Sequence, residues 1–124
     1  MRYVILCYDS EAAVRSWSKA EDDALMARHA VVERKLAAEG KLGPVVRLMP
    51  TTTATTLRKG AEPLIIDGPF AETKEQLLGF FIVDCASLEE VIDVARLLAE
   101  TYADGTGVYE IRPIATFDPG SFAS

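Results

Sequence analysis

The chain has 124 residues, of which 49% are hydrophobic, so it is long and apolar enough for one domain with its own core. Its 19 Asp and Glu outnumber its 13 Lys and Arg, which gives a formal net charge of −6. A negative chain is repelled by phosphate backbones and anionic lipid. We therefore expect neither nucleic acid nor a membrane among its partners.

The first apolar run, residues 3–8, is too short for a signal peptide or for a segment that spans a bilayer. This favours a cytoplasmic protein. Cys7 and Cys85 are far apart and form no CxxC motif, so we interpret both as reduced thiols of the core.

Residues 2–8 predict a strand, because β-branched and aromatic side chains are dense there. Alternation along this strand places Asp9 on the same side as Tyr3, Ile5 and Cys7. Next, Ser18 with Glu21 three residues later is a capping-box pattern.

The capping box predicts a helix that runs to about Glu39 and ends at Gly40. Its apolar residues Leu25, Val32 and Leu36 recur at helical spacing, and His29 falls on the same stripe. The single histidine of the chain is therefore expected to face the protein interior.

The remaining elements follow from apolar runs and turn residues. We predict a strand over 41–49, a hairpin from 51–57 and 63–66, and one helical turn over 72–76. A strand over 78–83 follows, and the capping box of Ser87 and Glu90 opens a second helix. The last elements are a loop at 103–107 and a strand over 108–114. The tail, residues 117–124, shows no periodicity. Together these elements predict a single α+β domain over residues 1–124, with a ferredoxin-like βαββαβ plan and a mid-chain hairpin insertion.

Two helices can cover only one face of such a sheet. The strands over 2–8 and 78–83 are apolar on both faces, so the uncovered face needs a partner. We expect a homodimer.

Residues 67–76 read Asp-Gly-Pro-Phe-Ala-Glu-Thr-Lys-Glu-Gln, a turn fixed by Gly68 and Pro69. This run resembles the signature of the DGPF proteins in the YCII-related family. The first strand, the Thr-rich middle and residues 109–113 are also similar to that family. The resemblance implies the dimeric α/β-barrel arrangement, in which two such sheets pack face to face.

The sequence contains no GxGxxG motif after a strand, no GxxxxGK[ST], no HExxH and no GxSxG. With one histidine and two separated cysteines, a zinc site would lack ligands. We therefore predict neither a cofactor nor a metal.

The family carries a His and an Asp at the relative positions of His29 and Asp9, and the resemblance implies that this pair centres an active-site cleft. A carboxylate beside an imidazole fixes its tautomer and stabilises its charged form, which suits acid–base catalysis near neutral pH. The alternative is a core histidine bonded to backbone.

Four further residues are candidates for substrate binding: Asp67, Phe70 and Lys74 around the turn, and Arg112 in the last strand. The charged members of this set could equally cap the turn or form surface ion pairs.

Two functions remain open. One is a small cofactor-independent enzyme that uses His29 and Asp9 for acid–base chemistry on a small polar molecule. The other is a non-catalytic homodimer that binds a metabolite or a protein and has a regulatory role. A histidine that lines a cleft beside Asp9 would favour the enzyme, whereas a buried histidine bonded only to backbone would favour the binding protein.

Overall fold

The computed structural model describes residues 1–102 and 105–122, which contain both strands and helices. Along the chain these are β1 (Arg2–Asp9), α1 (Glu11–Arg15), α2 (Lys19–Ala38), β2 (Leu42–Arg47), a 3-10 turn (Thr51–Thr53), β3 (Thr55–Arg58), β4 (Leu64–Asp67), β5 (Gln76–Asp84), α3 (Leu88–Ala99) and β6 (Val108–Pro113). The predicted loop at 103–107 and tail at 117–124 lie partly outside the described residues, at 103–104 and 123–124.

Four strands form one antiparallel sheet in the order β2-β5-β1-β6. Strands β3 and β4 form a separate two-stranded sheet, which confirms the predicted hairpin. With three helices beside these sheets, the α+β class is confirmed.

The core lies between the four-stranded sheet and the helices α2 and α3. Alternation on β1 directs Tyr3 and Ile5 into it, as predicted, and Phe81 and Val83 of β5 do the same. The helices contribute Leu36 of α2 and Val91, Val94, Ala95 and Leu98 of α3. Within the described residues, no helix covers the opposite face of the sheet.

Helix α2 begins and ends as the sequence predicts. Ser18 accepts a hydrogen bond from the Glu21 amide, and the Glu21 side chain accepts one from the Ser18 amide. Gly40 follows the helix with a positive φ of 72°, which glycine adopts without strain.

Helix α3 has only half of its predicted capping box. Ser87 accepts a hydrogen bond from the Glu90 amide, but the Glu90 carboxylate forms an ion pair with Lys41, 3.2 Å away. A positively charged side chain just before β2 therefore binds the carboxylate that the capping box would use.

Two local predictions need correction. Residues 72–76 form no helical turn, because the chain from Gly68 runs irregularly into β5, which begins at Gln76. The sequence analysis also missed the short helix α1, although Ser10 caps it by accepting a hydrogen bond from the Ala13 amide. No helix within residues 1–102 and 105–122 is both long and apolar enough to cross a bilayer.

Candidate functional site

A cavity of about 290 Å³ opens where β1 reaches Asp9, between the sheet and helix α2. Its walls come from the ends of β1, β5 and β6, from the His29 face of α2, and from Trp17 and Tyr102. Because the strand ends and the helix face belong to distant parts of the sequence, only the folded chain creates this space.

His29 lies on the inner stripe of α2 with Leu25 and Leu36, as the helical spacing predicts, and is only 6% exposed. Its ring packs edge-on against Phe81 and Tyr102, at centroid distances of 6.0 and 5.3 Å. The Nε2 atom is buried and has no hydrogen-bond partner among the described residues.

The charge state of His29 follows from this burial. Burial lowers the pKa of the imidazole, and the positive charges of Arg28 and Arg47 lower it further, against the opposing effect of the Leu98 backbone carbonyl. The imidazole is therefore neutral at pH 7. The buried Nε2 can donate or accept one hydrogen bond, according to which nitrogen of the neutral ring carries the proton.

Asp9 is buried at the end of β1 and lines the same cavity. One carboxylate oxygen accepts a hydrogen bond from the Ser10 amide at 2.7 Å, and the other accepts one from the Thr106 hydroxyl at 3.1 Å. Among the described residues no hydrogen bond joins Asp9 to His29. The carboxylate thus fastens the loop before β6 to the end of β1.

Gly107 allows this loop to approach Asp9. Its φ is +81°, and a Cβ atom there would lie 2.5 Å from the Tyr8 carbonyl and 2.9 Å from the Asp9 carboxylate. A larger residue at position 107 would therefore strain the backbone and clash with Tyr8 and Asp9.

Two tyrosines complete the polar part of the cavity. Burial raises the pKa of both Tyr102 and Tyr109, so both hydroxyls remain protonated. The two hydroxyls are neighbours, but no group among the described residues is placed to complete a hydrogen bond with the buried Tyr109 hydroxyl.

Tyr109 Oη and His29 Nε2 are the buried side-chain polar atoms without a hydrogen-bond partner in the described part of the chain. Both residues line this one cavity. Buried polar groups are normally satisfied, so the coincidence marks the cavity as the candidate site.

The YCII-related domain matches residues 1–118. The chain belongs to the YCII-related family. It is also 53% identical, over the full length of both chains, to an uncharacterised protein of Rhizobium meliloti (strain 1021).

The other predicted site residues of this YCII-related chain lie away from the cavity. Asp67 ends β4 opposite Thr55, Phe70 is 82% exposed, and Lys74 is exposed in the segment before β5. Arg112 pairs with Val4 on the sheet face that the helices leave uncovered. The structure thus brings Asp9 and His29 to one cavity and places these four residues elsewhere.

Neither Tyr102 nor Tyr109 was among the site residues predicted from the sequence. Alternation in β6 was the available signal, because it places Tyr109 on the same face as Ile111. The pairing of β6 with β1 in the structure sets these two residues opposite Cys7 and Ile5. Sequence spacing alone does not show that the Tyr109 hydroxyl lacks a partner.

Cys7 also lines the cavity, but its chemistry is limited. Burial raises the pKa of its thiol to about 12, so almost none is thiolate at neutral pH. Within residues 1–102 and 105–122 no three His, Cys, Asp or Glu side chains cluster in a way that would hold a metal ion.

Proposed function

We propose that this YCII-related protein binds a small molecule in the cavity between β1, β6 and α2. The observation that carries the proposal is the convergence on one cavity of His29 Nε2 and Tyr109 Oη, both buried and without a partner among the described residues. A buried polar group without a partner costs about 1–3 kcal/mol, and a ligand that bonds to both atoms would recover this energy on binding.

The state of His29 favours binding over catalysis. The imidazole is buried, neutral and in contact with a backbone carbonyl, and both oxygens of Asp9 already accept hydrogen bonds from Ser10 and Thr106. An imidazole that works as an acid–base pair with a carboxylate would need that carboxylate as its partner. The non-catalytic binding protein is therefore the better-supported function.

A thermal-shift screen of a metabolite library, followed by NMR titration of each hit, tests this proposal. Met26 of α2 lines the cavity, so Met26→Trp should fill part of the cavity and lower the affinity of every ligand that binds there. Met49→Trp is the matched control, because Met49 is 76% exposed and lies outside the cavity. The proposal fails if no compound binds, or if hits bind Met26→Trp as tightly as the parent.

The enzyme remains a second candidate because the buried Nε2 of the neutral His29 and the carboxylate of Asp9 belong to the same cavity. Such a nitrogen can act as a general base without a cofactor. Mass spectrometry of each ligand after incubation separates the two functions. Binding alone returns the ligand unchanged, whereas catalysis gives a product that His29→Asn no longer forms.

We further propose that the chain belongs to the DGPF branch and forms the ferredoxin-like homodimer of the α/β-barrel type. Residues 67–76 and the sheet order β2-β5-β1-β6 support this assignment. The uncovered sheet face carries Val4, Leu6 and Tyr8 of β1 with Phe80 and Ile82 of β5, which is an apolar surface suited to a second copy.

Sedimentation equilibrium at micromolar concentration should give a dimer. Leu6→Lys on the uncovered face should dissociate it, while Ala12→Lys on the exposed side of α1 should not. A monomeric parent protein would contradict the dimer without affecting the cavity proposal.

A further inference from the structure

One wall of the cavity is a continuous row of aromatic rings. Trp17 lies 6.2 Å from Tyr102, Tyr102 lies 5.3 Å from His29, and His29 lies 6.0 Å from Phe81, measured between ring centroids. All four rings line the cavity. Such a row favours a flat ring as its guest, since aromatic rings pack edge-on or offset against one another.

The volume limits the size of that guest. An apolar cavity of about 150 Å³ binds benzene, and this one is about 290 Å³. The space therefore suits a molecule of one or two rings.

The two unsatisfied atoms are complementary to one hydroxyl group. With the proton of the neutral ring on Nδ1, His29 Nε2 accepts a hydrogen bond, and Tyr109 can donate one. Both side chains adjoin Tyr102, His29 through ring packing and Tyr109 through its hydroxyl. A hydroxyl group both donates and accepts hydrogen bonds, so its chemistry matches this pair of atoms.

The charges of the lining disfavour an anion. Asp9 and Glu33 contribute carboxylates, and the lining cation, Arg47, already binds Asp22 through two nitrogens at 2.9 and 3.3 Å. An anionic ligand would have to compete with Asp22 for Arg47 while facing two negative groups.

We propose that the cavity binds a neutral, flat molecule of one or two rings whose hydroxyl group bridges His29 Nε2 and Tyr109 Oη. This inference deepens the proposed function and rests on it. In this complex the ring of the ligand supplies the packing contacts, and its hydroxyl supplies the specificity.

Four compounds that share one ring test the ligand class by NMR titration: 4-methylphenol, 4-methylanisole, toluene and 4-methylbenzoate. We expect 4-methylphenol to bind about tenfold more tightly than 4-methylanisole or toluene, because neither can donate to Nε2. The anion 4-methylbenzoate should bind most weakly. Equal affinities across the set, or tightest binding of the benzoate, would overturn the inference.

Tyr109→Phe tests the bridge without disturbing the aromatic packing. This variant removes a buried hydroxyl that has no partner in the part of the chain that the structure describes, so the ligand-free protein should melt at the same temperature as the parent or higher. Its affinity for 4-methylphenol should fall about fivefold or more, while its affinity for toluene stays unchanged.

Tyr3→Phe is the matched control, because Tyr3 is buried in the same sheet but does not line the cavity. A loss of 4-methylphenol affinity in Tyr3→Phe, or none in Tyr109→Phe, would refute the bridge. If the ring compounds do not bind but other library compounds do, the ligand class is wrong and the binding function stands. If nothing occupies the cavity, the binding function itself is wrong.

Discussion

Glu11 joins helix α1 to two distant segments near the cavity, and the loss of its side chain should loosen the contact that the carboxylate makes with Thr51. Its carboxylate oxygens lie 3.1 and 3.2 Å from the Thr51 amide nitrogen, just before the hairpin of β3 and β4. The carboxylate also accepts a hydrogen bond from Arg15 at 3.1 Å, and the Glu11 amide donates to Gln76 at the start of β5 at 2.9 Å.

The expected loss follows from these contacts. A hydrogen bond to a charged group contributes about 1.5–3 kcal/mol, and the two Thr51 distances count once because they share one N–H. The Arg15 guanidinium is more than half exposed, so its ion pair adds at most about 1 kcal/mol. We expect Glu11→Ala to lower the free energy of unfolding by about 2–3 kcal/mol, and Glu11→Gln by about 1 kcal/mol because its amide oxygen can still accept from Thr51.

The effect should depend on pH. Burial alone would raise the pKa of Glu11, but the hydrogen bonds from Thr51 and Arg15 outweigh it and lower the pKa below its ordinary value. The carboxylate therefore contributes stability above the unfolded pKa of about 4.3, and this contribution is lost as the pH falls through the lower folded value. The difference between parent and Glu11→Gln should shrink accordingly between pH 7 and pH 3.

Urea unfolding at pH 7 and pH 3, with hydrogen exchange at the Thr51 amide, measures both effects. Glu72→Ala is the control, because Glu72 is exposed and makes no hydrogen bond or ion pair with the described residues. If Glu11→Ala unfolds within about 0.5 kcal/mol of Glu72→Ala and Thr51 keeps its protection, the reasoning is wrong.

Two further predictions concern the cavity and the sheet. An NMR titration should give His29 a pKa below that of an exposed histidine. Asp9→Asn should change this pKa little, since no hydrogen bond joins Asp9 to His29. A raised His29 pKa that falls in Asp9→Asn would instead support a catalytic pair. Gly79→Ala should destabilise the fold by about 1–3 kcal/mol in urea, because its Cβ would lie 2.1 Å from the Val46 carbonyl and push β2 from β5. Gly105→Ala, with no atom within 4 Å of the added carbon, is its control, and equal stability of the two variants would contradict the close contact.

Features that depend on neighbours along the chain were predictable from the sequence. The Ser18 and Glu21 box, the turn at Gly40 and the alternation along β1 were read correctly, because each uses hydrogen bonds or side-chain directions set within a few residues. The same local logic placed His29 on the inner stripe of α2.

Features that depend on distant residues were decided by the tertiary structure. The Glu90 carboxylate forms an ion pair with Lys41, and the Glu11 carboxylate accepts a hydrogen bond from the Thr51 amide, 40 residues away. Likewise, Tyr109 reaches the His29 cavity only because β6 pairs with β1 in a register that sets Tyr109 opposite Cys7. Sequence periodicity determined which face each of these side chains would occupy, but the order and register of the strands determined which of them meet and which polar atoms are left without a partner.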